Sequence, residues 1–176
     1  MTMHFLSATR VRGYIILLLY VDDMIITGSD PQGIQDLKQF LHQTFEMKDL
    51  GSLSYFLGLE VTYNSMLYSL SEAKCASDLL SRVGMTDNKV TSTPLEVNVK
   101  FSPTNGTHLT DATLYRQLVG SLVYFTVTRP DIAYVVHLLS QFMAATCTTH
   151  HAAVLQILRY IKGTLFKGLY FLIVLC

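Results

Sequence analysis

The sequence predicts an α+β fold, a partial antiparallel sheet followed by a helical region. Three observations carry this: strand-like apolar runs before Leu70, a stretch from Thr86 to Thr110 without sustained periodicity, and apolar stripes at helical spacing beyond Asp111. Half of the 176 residues are hydrophobic and 15% are charged, ample for a buried core and unlike a disordered chain. Thirteen basic residues balance 13 acidic ones. That balance counts against an autonomous nucleic-acid binder, whose affinity draws on a basic excess, though not against a piece of a larger binder. Cys75, Cys147 and Cys176 are far apart with no C-x-x-C pair. Neither a disulfide framework nor a zinc site is expected, and reduced thiols suit an intracellular protein, cytoplasmic or nuclear and not secreted.

Taken in order, Tyr14 to Tyr20 is a continuous apolar run, the pattern of a strand buried on both faces. Met24 to Thr27 is a shorter one, so the pair reads as a hairpin with Asp22 and Asp23 at its tip. The turn lacks Asn-Gly chemistry, and an Asp is expected to take the unusual backbone angle there. Arg10 and Arg12 before the first run mimic a signal peptide, but the run ends in two aspartates instead of a cleavage site. It is also too short to cross a bilayer, which takes roughly 20 apolar residues, and Leu169 to Cys176 is equally short. No membrane partner is expected.

Asp30-Pro31 predicts a helix start, with Asp30 as N-cap and an apolar stripe of Ile34, Leu37, Leu41 and Phe45. Gln35, Lys38 and Gln39 face elsewhere. Leu53 to Tyr63 alternates as one strand, Asn64-Ser65 turns, and Met66 to Leu70 returns. Ser71 is placed as the cap of a helix reaching Val83, with Gly84 just past its end. Thr86 to Thr110, with Pro94, Pro103 and Asn105-Gly106, reads as a connector between subdomains. Helices then follow from Asp111, from Pro130, and from about His150 to Lys162. The domain boundaries so drawn are 1–85, 86–110, 111–167 and a tail at 168–176.

Two adjacent carboxylates at an apolar hairpin tip are hard to explain as packing, although Asp is also common in solvated turns. Anchored rigidly, they suit hard divalent cations, and magnesium is commonly held by one or two carboxylates with substrate phosphates. Two such ions a few ångströms apart activate an attacking hydroxyl and stabilise the leaving oxygen in nucleotidyl transfer. His150-His151 has no matching ligand cluster and reads as a helix start. Arg116, Arg129, Arg159 and Lys162 are candidates for phosphate contact or for solvated helix faces.

Tyr20-Val21-Asp22-Asp23 matches the Y-x-D-D signature of reverse transcriptases. The segments LLLYVDDMIITG, FEMKDLGSLSYFLGLEV, YRQLVGSLVYFTVTRPDIAYVV and LSQFM…HHAAVLQILRYIKGT follow in the order of copia-type retrotransposon polymerases, from about Phe5 to Phe171. On these motifs the chain resembles that family. The resemblance implies a palm-like sheet, thumb-like helices and Mg2+-dependent, RNA-directed DNA synthesis on an RNA/DNA template–primer with dNTP. It casts Asp22 as metal ligand, Asp23 as its supporting neighbour, Tyr20 and Val21 as the floor beside the primer end, and Lys48 as proton donor to pyrophosphate. Phe56-Leu57-Gly58 resembles the primer grip, where a strand glycine lets a nucleic-acid backbone approach.

The family's third aspartate belongs to an earlier palm strand, and residues 1–13 contain no Asp or Glu. The expectation is therefore that this aspartate, the fingers and the ribonuclease H region are partners outside these residues. It follows that the chain is inactive alone, and that the 14–27 hairpin leaves an apolar edge and faces prone to aggregation. The alternative is a non-catalytic remnant whose helices bind nucleic acid or a partner.

Overall fold

A computed structural model describes residues 3–10, 12–64, 66–85, 89–96, 99–103 and 106–172. Ser65 of the expected turn, Thr86 and Asn105 of the expected connector, and tail residues 173–176 lie outside the described residues. The chain divides into two units, Met1–Phe56 and Leu57–Cys176. The break thus falls at Phe56–Leu57, whereas the sequence places its subdomain division at 86–110.

In the first unit β1 (His4–Arg10), β2 (Gly13–Tyr20) and β3 (Asp23–Gly28) form an antiparallel sheet in that order. β1 pairs along β2 from His4↔Leu19 to Arg10↔Gly13, so the edge expected to lie bare is covered and β2 is the interior strand. Burial on both faces is not observed. Within β2 only Ile15 is fully buried. The reason is coverage: α1 (Pro31–Phe45) packs on β3, and one helix cannot roof a three-stranded sheet. Short strand β4 (Tyr55–Phe56) closes the unit.

The start of α1 is as expected. The Asp30 carboxylate accepts the Gly33 amide at 3.0 Å, and Pro31 occupies the first turn. Gly33 is buried because the helix start presses on the sheet: a Cβ there would come within 2.8 Å of Ile15 Cδ1 and 2.5 Å of the Asp30 carboxylate. Ile34, Leu37 and Leu41 are half-buried, whereas Phe45 at the stripe's end is exposed.

The second unit holds antiparallel strands β5 (Leu59–Tyr63), β6 (Leu67–Ser71) and β7 (Leu169–Leu172), and helices α2 (Ala73–Arg82), α3 (Thr113–Phe125), α4 (Pro130–Ser140) and α5 (Thr148–Gly163). The alternation over Leu53 to Tyr63 does not make one strand. Leu57 and Gly58 both take positive φ, 52° and 87°, and two consecutive left-handed residues form a tight turn. Asn64 shapes the β5–β6 turn by accepting the amides of Met66 and Leu67 at 2.9 and 3.0 Å. Ser71 is not a helix cap; its hydroxyl donates to Glu60, and α2 begins after Glu72. Gly84, at φ 67°, does follow the end of α2. The stretch read as a departing tail supplies β7, paired with β6 from Leu70↔Leu169 to Leu67↔Leu172.

The unit's core is helical. Tyr115, Leu122, Ile132, Leu139, Ile157 and Leu158 are among its fully buried side chains. On α3 the buried stripe is Tyr115, Leu118, Val119, Leu122 and Phe125, while Leu114 and Val123 are exposed. The expected connector is not a free link. Leu95 and Phe101 pack on the helical core, and the Thr91 hydroxyl donates to the Gln156 carbonyl. Its apolar side chains therefore tie it to the unit's own helices. Among the described residues, no helix is long and apolar enough to cross a membrane.

Candidate functional site

The β2–β3 ladder closes on the pair Tyr20↔Asp23, leaving Val21 and Asp22 as the two turn residues. No glycine is available, so Val21 takes φ 51°, a left-handed conformation that is unusual for a β-branched side chain. The sequence reading assigned the unusual angle to an Asp; the structure assigns it to Val21. Strain of this kind costs about 1–3 kcal/mol and persists where the surrounding structure over-determines it. Here the paired strands on either side do so. Asp22 and Asp23 are both exposed at this tip and so hydrated.

A cleft of about 400 Å³ lies within the first unit, lined by Asp22, Asp23, Lys38, Lys48, Asp49 and Phe56 among others. α1 contributes one wall through Lys38 and His42, and the 47–54 segment contributes the other. Lys38 was placed off the apolar stripe of α1, and this is why it is available to the cleft. Its ammonium meets the Asp49 carboxylate at 2.9 Å. The other Asp49 oxygen accepts the Gly51 amide at 2.9 Å, a turn that the Asp-x-Gly pattern makes readable. The hydrogen bond from Lys38, then the one from Gly51, holds the Asp49 carboxyl below the usual carboxylate range. His42 Nδ1 bonds the Met47 carbonyl at 2.8 Å, so that nitrogen carries the proton. Sequence reasoning missed Lys38, His42 and Asp49.

Among the described residues, no group of three or more His, Cys, Asp and Glu is gathered to hold a metal. The Asp22–Asp23 pair matches the donor chemistry of Mg2+, which takes one or two carboxylates and completes its shell with water and phosphate oxygens. Asp49 is already committed to Lys38 and Gly51.

Of the residues singled out by sequence, the cleft brings together Asp22, Asp23, Lys48 and Phe56. Tyr20 and Val21 belong to the same hairpin. Leu57 and Gly58 lie past the division, in the second unit, and Gly58 serves a turn rather than a strand. The cationic candidates are largely engaged inside the second unit. Arg129, 4% exposed, grips Asp131 with two hydrogen bonds of 2.9 and 2.8 Å and donates to the Thr164 carbonyl and hydroxyl. Arg116 donates to the Met143 carbonyl and Lys162 to the Met85 carbonyl. His150 is buried and accepts the Cys147 amide as part of the α5 start, stacked on Phe142, as its helix-start reading requires.

Residues 4–97 match the family model described as reverse transcriptase (RNA-dependent DNA polymerase). The chain is 42% identical over 161 residues to the retrovirus-related Pol polyprotein from transposon RE1 of Arabidopsis thaliana, covering 92% of this chain and 11% of that protein. It is 41% identical over 160 residues to the Pol polyprotein from transposon TNT 1-94 of Nicotiana tabacum, covering 86% and 12%. An uncharacterized mitochondrial protein of Arabidopsis thaliana is 43% identical over 155 residues, 88% of this chain and 64% of that one. The chain thus spans about a tenth of the length of the polyproteins it matches. No solved structure matches it. The Tyr20-Val21-Asp22-Asp23 hairpin lies inside the matched region, and the chain belongs to the reverse transcriptase family, in its copia-type retrotransposon branch.

Proposed function

We propose that the first-unit cleft is one part of the nucleotidyl-transfer site of an RNA-directed DNA polymerase, completed by other regions of a Pol polyprotein. The observation that supports this best is the sharing of one cleft by two exposed carboxylates on a rigid turn and by Lys48. In this reading the first unit is palm and the helices of the second are thumb-like. The reaction joins a primer 3′ oxygen to the α-phosphorus of a dNTP, releases the 3′ hydroxyl proton to solvent and breaks the bond to pyrophosphate. Magnesium, when bound, lowers the charge barrier to that displacement. Asp22 holds the ion with Asp23 beside it, Lys48 places its ammonium proton at the departing pyrophosphate, and Tyr20 and Val21 floor the primer end. Phe56, Leu57 and Gly58 contact the primer backbone. Template–primer, dNTP, fingers and the ribonuclease H region are the partners.

A labelled dNTP titrated with the purified chain tests this by fluorescence anisotropy. Binding is expected to need Mg2+, to weaken at least about tenfold in Asp22→Asn and severalfold in Lys48→Ala. Primer extension by these 176 residues alone is expected to be absent, because two carboxylates on one turn do not position both ions. Metal-independent dNTP binding, or robust extension, contradicts the proposal.

A further inference from the structure

Lys48 sits on an exposed segment after α1, where a long side chain has no reason of its own to stay in one place. The residues on both sides of it, however, are tied back to α1. On the N-terminal side the Met47 carbonyl accepts from His42 at 2.8 Å. On the C-terminal side Asp49 meets Lys38 at 2.9 Å and folds its own turn by accepting the Gly51 amide. Lys38 and His42 are four apart, hence neighbours on one face of the helix. That helix is itself fixed at its start by the Asp30 cap and by Gly33 against Ile15.

We infer that Lys38 and His42 are positioning residues: together with Asp49 they clamp the backbone on both sides of Lys48 and hold its ammonium in the cleft that Asp22 and Asp23 also line. The inference rests on the polymerase reading, since it gives the clamp a purpose. The charge arrangement supports it. Two lysines line the cleft, and Asp49 takes up Lys38, so the neutralised pair leaves Lys48 as the cation available to a phosphate-bearing ligand. A contact made only for stability needs no such placement, because a half-exposed ion pair contributes little.

Trypsin cleavage after Lys48 reads the clamp directly, with the rate for each variant normalised to that of the same chain unfolded in urea. Lys38→Met leaves the cleaved bond and Asp49 in place. It is expected to raise normalised cleavage at Lys48 about threefold, the scale of a surface ion pair. Lys38→Arg, which keeps the charge, is expected to restore the wild-type rate, and His42→Ala to act in the same direction as Lys38→Met. The second arm adds Mg2+ and dNTP, expected to protect Lys48 in the wild type and in Lys38→Arg but not in Lys38→Met. Circular dichroism of each variant separates loosening of the segment from loss of the fold. Wild-type cleavage in Lys38→Met overturns the clamp. Loosening in Lys38→Met without ligand protection of wild-type Lys48 instead overturns the polymerase reading, and the positioning role with it.

Discussion

At the residue scale the hairpin tip depends on Val21. A β-branched side chain at φ 51° is held there by the Tyr20↔Asp23 closing pair, which leaves only Val21 and Asp22 to reverse the chain. Val21→Gly removes that strain, since glycine enters left-handed angles without a Cβ penalty. The variant is expected to gain about 1 kcal/mol in urea unfolding, and a loss of stability would refute the strain assignment. The two carboxylates were legible in the sequence because apolar runs on either side left them no packing role. The angle at Val21 was not, because local propensity favours Asp there and the strand register decides otherwise. Lys38 and Asp49 were missed for a related reason: their pairing spans 11 positions, beyond any helical period.

At the element scale, the start of α1 was read correctly from its local signal. The cap expected at Ser71 was not, because its hydroxyl is drawn to Glu60 on the neighbouring strand. Asp30-Pro31 specifies a helix start through the chain's own next few residues, and the Asp30–Gly33 hydrogen bond follows. Asp30→Ala is expected to cost about 1 kcal/mol and to shorten protection of the first α1 amides in hydrogen exchange; unchanged exchange at Gly33 would show the cap to be idle. Elements specified by distant pairing were not legible. β1 carries the mixed sequence His4–Arg10 and becomes a strand because β2 offers it a full edge. β7 forms on β6 across almost the whole of the second unit's sequence. The alternation from Leu53 to Tyr63 is real, but it says nothing of the reversal that Leu57 and Gly58 impose.

At the scale of the whole molecule, burial is unevenly shared. The core is gathered on the helices of the second unit, whereas in the first unit Ile15 is the fully buried apolar side chain among the described residues. Among the polar groups buried in the second unit is the Arg129 guanidinium, satisfied by Asp131 and Thr164. Arg129 lowers the Asp131 carboxyl to about 2 from 3.8, helped by a 2.7 Å hydrogen bond from Tyr160. The folded-state value is depressed, so this contribution is complete above about pH 3.8 and is lost as pH falls toward 2. Asp131 is 36% exposed, which limits it to about 1 kcal/mol. Asp131→Asn is expected to lose about 2 kcal/mol at neutral pH, because it strands a buried cation, and to flatten the acid limb of a urea-unfolding series. An unchanged acid limb would remove Asp131 from that account.

The claim on which the rest depends is that Asp22 and Asp23 bind a divalent ion in the same cleft as Lys48. Fe2+ substituted for Mg2+, with ascorbate and peroxide, cuts the backbone next to wherever the ion sits. The expected fragments end near Asp22–Asp23 and near Met47–Asp49, and both cuts vanish in the Asp22→Asn/Asp23→Asn double variant. Cuts confined to other segments, or cuts that survive the double substitution, would contradict it.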